Sequence, residues 1–289
     1  MTDQILLHER TDNQIKALLQ SPPHAVMIIG PAGSGKRAVA KHIASQLLDV
    51  PLEKVDSQPY YVEITKPDGK SEIPIEAIRE LIKSLRLKTA GRRRVVLIEG
   101  AHDLSEEAQN ALLKAIEEPP DNTVFMLTTI TQNSVLPTIA SRSQKLNIYP
   151  VGQSEAHNHF NKFSASEIDS AWSLTRGSAG LLSAILHDKD GHEMKQAVSE
   201  AKLFLKMDQI ERVIFLDKIS TNKGDFIVFL DALSRVYAAL SDAAIAKDNK
   251  SQLNKLVASR RLTYQAAESL SKNVSARLIS LKLALSLSV

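Results

Sequence analysis

The stretch that most constrains this chain is Ala25-Val-Met-Ile-Ile29 followed by Gly30-Pro-Ala-Gly-Ser-Gly-Lys36-Arg37 and the helix-like Ala38 to Leu48. An apolar run, a glycine-rich turn and a helix, in that order, specify a buried strand feeding a phosphate-binding loop. Gly30, Gly33 and Gly35 let the backbone curl so that successive N–H groups converge on phosphate oxygens. Ser34 lies within the curl, and Lys36 adds a charge for the outer phosphates. The helix then begins with unpaired N–H groups and a partial positive charge against the anion. The pattern departs from the full motif at one place. The residue after the lysine normally supplies a hydroxyl to Mg²⁺, and here it is Arg37, which is no cation ligand. Arg37 can meet phosphate itself, or stand as a solvated residue on the first helical turn.

A second departure points the same way. Arg92-Arg-Arg94 leads into Val95-Val-Leu-Ile98, a short apolar run of the kind buried in parallel sheets. In nucleotide hydrolases with this loop, such a strand ends in Asp-Glu, the first carboxylate for Mg²⁺ and the second to activate water. Here the pair is Glu99 and Gly100. Glu99 can reach a metal with one extra methylene, whereas Gly100 has no side chain and cannot be a base. The two departures together predict a nucleotide fold without turnover.

Residues 1 to 150 alternate strand-like and helix-like segments, which predicts a parallel sheet covered by helices on both faces. Strands are expected at Val26–Ile29, Tyr60–Ile64, Val95–Ile98, Val124–Thr128 and Leu146–Tyr149. Ile75, Ile78, Ile82 and Leu85 mark one helix face. Ser105 can cap the next helix, whose first turn holds Glu106 and Glu107 and which must end before Pro119-Pro120. After Gly152 the periodicity is helical throughout, with breaks at 175–180 and 217–225. The fold class is therefore α/β plus all-α. Three domains are expected: 1–150 of α/β type, 151–195 small and helical, and 196–289 a helical bundle. Phe215, Phe226, Phe229 and Trp172 read as core.

Charge is nearly balanced at +3, but it is uneven: Gln196 to Val289 carries 14 Lys and Arg against 9 Asp and Glu. Solvated helix faces account for that as well as a nucleic-acid surface does. The cluster of Lys88 with Arg92-Arg-Arg94 reads as a solvated loop before DNA contact. There are no cysteines, which removes disulfides, Cys-ligated zinc and thiol catalysis. Met1-Thr-Asp-Gln shows no basic region leading into an apolar core, and no apolar run approaches the ~20 residues of a membrane helix. The expectation is a cytoplasmic protein with no membrane partner. His102, His157 and His159 lack the acidic spacing of a metal site.

The run Ser105-Glu-Glu-Ala-Gln-Asn-Ala-Leu-Leu-Lys-Ala-Ile-Glu-Glu-Pro-Pro120 resembles the segment after the second nucleotide motif in bacterial clamp-loader subunits of the AAA+ superfamily. Phe125-Met-Leu-Thr-Thr129 is similar to that family's sensor strand, and Leu136-Pro-Thr-Ile-Ala-Ser-Arg-Ser143 to its Ser-Arg-Cys motif. The resemblance implies a P-loop domain, a helical lid and a C-terminal collar, assembled with neighbours into a ring with ATP sites between subunits. Within it, Arg142 would be an arginine finger for the adjacent ATPase, with Ser141 orienting its loop. Thr128 and Thr129 would be sensor-like, although buried β-branched strand residues are the commoner reading. The departures at Arg37 and Gly100 resemble the delta-prime class, an assembly subunit of the DNA polymerase III holoenzyme without its own turnover. The alternative is an active gamma/tau-like ATPase; a lone DNA-binding AAA+ module is disfavoured, since no helix-turn-helix with a basic face stands out. Two further departures are the absent zinc cysteines of many relatives, so no zinc is expected, and Gly177-Ser-Ala-Gly180, where motor subunits carry an arginine. The loop keeps backbone contacts for ATP or ADP but not the Mg²⁺ hydroxyl, so two readings stay open: it holds one of these nucleotides structurally, or it holds nothing. The implied partners are gamma/tau-like and delta-like subunits, a sliding clamp, and primed DNA reached through the assembly.

Overall fold

A computed structural model describes residues 5–67, 70, 72–85, 91–187, 193–271 and 274–287; Lys88 and Met1–Gln4 lie outside them. The chain divides into two compact units, one of 1–161 with 177–181, the other of 162–176 with 182–289.

The first unit is a five-stranded sheet in the order β2-β3-β4-β1-β5, with β1 Ala25–Ile29, β2 Tyr61–Ile64, β3 Arg94–Ile98, β4 Thr123–Thr129 and β5 Gln144–Asn147. Every pairing is parallel. Parallel strands need crossovers, and the helices that make them cover both faces, so the central strands are apolar on both sides. The two cores follow the pleat. Ala25, Met27, Val96, Ile98, Phe125 and Leu127 face one side with Ile78 and Leu81 of α3 (Ile75–Leu85) and Ala108 and Leu112 of α4 (Glu106–Glu117). Val26, Ile28, Val95, Leu97, Val124 and Met126 face the other with Ile15 and Leu18 of α1 (Glu9–Gln20) and Val39, Ile43 and Ala44 of α2 (Lys36–Leu48). Ser105 caps α4 as expected, its hydroxyl accepting from Ala108 N–H at 3.2 Å. The short α5 (Pro137–Arg142) carries the segment into β5.

Two sequence expectations shift. Strand β5 starts at Gln144, two residues early, because pairing with β1 decides an edge strand's extent; Leu146 is its one buried side chain. Arg94 is no solvated residue: it opens β3, 7% exposed, with Nη1 donating to Leu85 O at 2.9 Å. Arg92 stacks over Tyr60 at 5.7 Å.

Beyond the sheet come α6 (Gln153–His159), α7 (Ala165–Thr175), α8 (Ala179–His187), α9 (Glu193–Phe204), α10 (Gln209–Ile219), α11 (Lys223–Ala246), α12 (Lys250–Ser271) and α13 (Ala276–Ser286). In the second unit Phe204, Phe226 and Phe229 are fully buried, and Phe204 meets Phe229 edge-on at 5.4 Å. Trp172 and Phe215 are half-buried rather than fully so. Arg212, unforeseen in the sequence, is buried and donates to Phe204 O, Leu205 O and Leu287 O, closing the carbonyl ends of two helical segments. No helix of the described residues is long and apolar enough to cross a membrane.

Candidate functional site

The C-terminal ends of β1, β3 and β4 meet where the strand order reverses, and in open parallel sheets that is where ligands bind. The loop 30–35 leaves β1 there, with Gly30 N–H donating to Thr129 O at 3.1 Å. Gly33 and Gly35 adopt φ +74° and +88°, and Gly35 is the N-cap of α2. The first N–H groups of α2 have no intrahelical partner. Lys36 Nζ donates to Gly30 O and Pro31 O, each at 2.8 Å. This ties the two ends of the curl together with two of its three donors. Burial lowers the Lys36 pKa, with Glu99 opposing it. The Ser34 hydroxyl is buried without a partner, and so is Ser178 Oγ.

Residues 177–181 close over this loop. Leu181 N–H donates to Gly33 O at 2.8 Å, and a Cβ on Gly180 would lie 2.7 Å from both Gly35 Cα and Gly35 N. Glycine backbone therefore packs against the loop at the position where the resemblance puts a motor subunit's arginine. Arg176 is occupied elsewhere in its own unit, pairing with Asp242 and donating to Ala238 O at 3.0 Å.

The metal corner is built differently. Arg37 Nε lies 2.6 Å from Glu63 Oε1 and 3.4 Å from Glu99 Oε2. The close contact with Glu63 raises the Arg37 pKa, so its charge is permanent. Glu63, from β2, was not foreseen as a site residue; it sits well separated in sequence from both motifs. The residues present thus fit an anion, through the α2 amides, Lys36 and the orphaned Ser34 hydroxyl. They fit Mg²⁺ poorly: the hydroxyl is absent, and a guanidinium stands 3.4 Å from the Glu99 carboxylate that would have to ligate it.

At Gly100 the backbone has φ +75°, and a Cβ there would lie 2.9 Å from Asp103 Oδ2. Lys66 holds that carboxylate at 3.2 Å. Gly100 N–H donates to Thr128 Oγ1 at 2.9 Å, and Thr129 Oγ1 donates to Thr131 O at 3.1 Å. Both sensor-like threonines are buried with their hydroxyls bonded within the chain. Restoring the missing acid by Gly100→Glu is accordingly expected to leave ATPase at background, because position 37 still lacks the Mg²⁺ hydroxyl and holds Arg37 beside Glu99; the left-handed backbone adds a cost of ~1–2 kcal/mol. An ATPase assay with a urea melt checks this, and measurable turnover would contradict it.

His102 Nδ1 is buried without a partner beside the same loop. Burial lowers its pKa, against Asp103 and with Lys36 and Lys66; burial also lowers His42 on α2. With folded values below the ordinary ~6.5, the unfolded chain takes up protons first as pH falls. Their stability contribution is present above about pH 6.5 and is lost below it. Urea midpoints should therefore fall from neutral pH toward acid, and less steeply in His42→Gln/His102→Gln.

Arg142 ends α5 far from this corner in sequence and stands at the surface, its Nε 2.8 Å from Glu117 Oε1 of α4 and its Nη1 3.3 Å from Thr138 O. Ser141 Oγ donates to Thr138 O at 2.9 Å, inside its own helix. Among the described residues no group of three or more His, Cys, Asp or Glu side chains is placed to hold a metal ion.

The profile of the family described as "DNA polymerase III, delta subunit" matches residues 8–152, half of the chain. The chain belongs to this family. It is 36% identical over 135 residues to the DNA polymerase III subunit delta' of Pseudomonas aeruginosa, covering 41% of each chain. It is 32% identical over 139 residues to the Haemophilus influenzae subunit delta', covering 43% of this chain and 42% of that one. Over 144 residues it is 31% identical to the subunit gamma of Buchnera aphidicola, covering 46% of this chain and 39% of the relative. The chain thus spans about two fifths of the length of these curated relatives. A solved DNA polymerase III gamma subunit-related protein of Thermotoga maritima shares the fold across 96% of this chain and 98% of its own, with TM-score 0.56 and 18% identity. The family match spans the residues of the sheet, and the likeness of fold to the Thermotoga protein extends over the helical part as well.

Proposed function

We propose that this chain is a delta-prime-like subunit of a DNA polymerase III clamp loader, without ATP turnover of its own, that assists loading of a sliding clamp onto primed DNA. The observation that carries this reading is the Arg37 ion pair with Glu63 and Glu99. A subunit with arginine in place of the Mg²⁺-binding hydroxyl, its guanidinium beside Glu99, and with Gly100 at the base position lacks both halves of the hydrolytic apparatus. What it retains is Arg142, an exposed guanidinium suited to stabilise γ-phosphate charge in a neighbouring gamma/tau-like subunit.

In this reading the loop with Lys36 holds ATP or ADP without hydrolysing it. Residues 1–150, 151–195 and 196–289 serve as nucleotide-type domain, lid and collar. Exposed apolar side chains support the collar role: Ile210 and Ile214 on α10, and Leu278 and Leu285 on α13. They would pack against other loader subunits, delta-like and gamma/tau-like, in the cytoplasm. Gamma-type relatives match at similar identity, so an active gamma/tau-like ATPase is the competing reading. ATP hydrolysis by the purified chain, abolished by Lys36→Ala, would establish that competitor; an Arg142-dependent ATPase in the reconstituted loader would establish the first.

A further inference from the structure

The corner of the loop that a divalent cation would occupy is organised around a cation belonging to the chain. Arg37 Nε sits between Glu63 and Glu99, at 2.6 and 3.4 Å. The second oxygen of Glu63 accepts from Tyr61 OH at 3.1 Å and has Lys41 Nζ at 3.7 Å. Lys41, one turn beyond Arg37 on α2, also holds Asp56 at 2.8 Å. Glu63 Oε1 meets Arg37 as an ion pair without a hydrogen bond, Oε2 takes the Tyr61 hydroxyl, and Glu63 is the less exposed partner of the Arg37 pair. A guanidinium offers five N–H donors and no acceptor, so it neither ligates a metal nor tolerates one beside it.

The phosphate side of the same loop keeps its groups. They are the α2 amides, the Lys36 ammonium with one donor left beyond its bonds to Gly30 O and Pro31 O, and the buried, unpartnered Ser34 hydroxyl, which lies 2.6 Å from where a Gly30 Cβ would stand. A buried hydroxyl without a partner is rare and calls for one. A phosphate oxygen is an acceptor that would supply it.

We propose that Arg37 is a resident counter-ion that takes the place of Mg²⁺, so that this loop binds ATP or ADP as the metal-free polyphosphate. The inference rests on the reading that residues 30–37 hold a nucleotide. It assigns to Arg37, through its grip on Glu63 and Glu99, the choice between metal-free and metal-bound ligand. A hydroxyl at this position releases both carboxylates and returns the corner to oxygen ligands of the kind Mg²⁺ prefers.

The test is calorimetric titration of the purified chain with ATP, once in excess EDTA and once in excess Mg²⁺, repeated with Arg37→Thr and Lys36→Ala. The wild type is expected to bind equally, or more weakly, when Mg²⁺ is present, while Arg37→Thr binds about tenfold or more tightly with Mg²⁺ than without. Mn²⁺ followed by paramagnetic resonance in the presence of ATP should show a protein-bound ion only in Arg37→Thr. Wild-type affinity raised about tenfold by Mg²⁺ would overturn the counter-ion while leaving nucleotide binding intact. Indifference of Arg37→Thr to Mg²⁺ would remove Arg37 as the cause. Absence of ATP binding in both buffers, with Lys36→Ala no different, would overturn the nucleotide reading as well. None of these outcomes bears on the Arg142 test of the loader role.

Discussion

Arg142→Ala is expected to lower the DNA- and clamp-stimulated ATPase of a reconstituted loader by about 10³-fold or more, with the assembly intact. Arg142 is the last residue of α5, and its side chain is 44% exposed. Its contacts are an ion pair with Glu117 and bonds to its own helix. An exposed pair of this kind contributes only ~0–1 kcal/mol. The guanidinium can therefore leave Glu117 for a neighbour's γ-phosphate at small cost, and its loss should not unfold the subunit. Substitution isolates the charge: Glu117→Gln removes the resting partner and should leave the rate near wild type. Arg142→Lys keeps the charge but not the planar fork, and should recover only part of the loss. An unchanged ATPase in Arg142→Ala, with gel filtration showing a complete loader, would mean that Arg142 faces no active site.

Gly180→Val is expected to destabilise the first unit by about 3 kcal/mol, the upper end of what overpacking normally costs. A Cβ there would meet Gly35 Cα, Gly35 N and Gly33 O at 2.7–2.8 Å. All three are backbone atoms of the phosphate loop and cannot rotate away. The segment must lift, which also breaks the bond from Leu181 N–H to Gly33 O. For a unit of this size the melting temperature should fall by roughly 6–12 °C. Amide exchange in peptides covering 30–37 should accelerate, because the loop loses its cover. Gly180→Ala already places the Cβ and should show the same effects in smaller measure. A Gly180→Val protein melting like wild type would mean that 177–181 does not rest on the loop.

Much of this fold was legible because its signals are local. The strand at 25–29, the curl at 30–35 and the helix from 36 declare themselves within a few residues, since buried strands are apolar runs and tight curls require glycine. Ser105 announced α4, and Pro119 its end, through the chemistry of unpaired helix-end groups. The losses at 37 and 100 were equally plain, being absences of a hydroxyl and a carboxylate at fixed offsets. The extent of β5 was not, because only β1 pairs with it and its own residues are mostly polar.

The sequence by itself determined which chemistry the site lacks; the tertiary structure decided what stands in its place. Glu63 comes to Arg37 only because β2 lies beside β3 in the sheet. Asp103 occupies the space beside Gly100 only because the chain turns tightly after β3, and Lys66 arrives there from beyond β2. Gly180 reaches Gly35 across more than half the chain's length. Ion pairs and backbone contacts between residues distant in sequence leave no periodicity behind, since any charged or small residue elsewhere in the chain could have supplied them. They are set when the parallel strands align and the helices pack, and that is where Arg37 acquired its two glutamates.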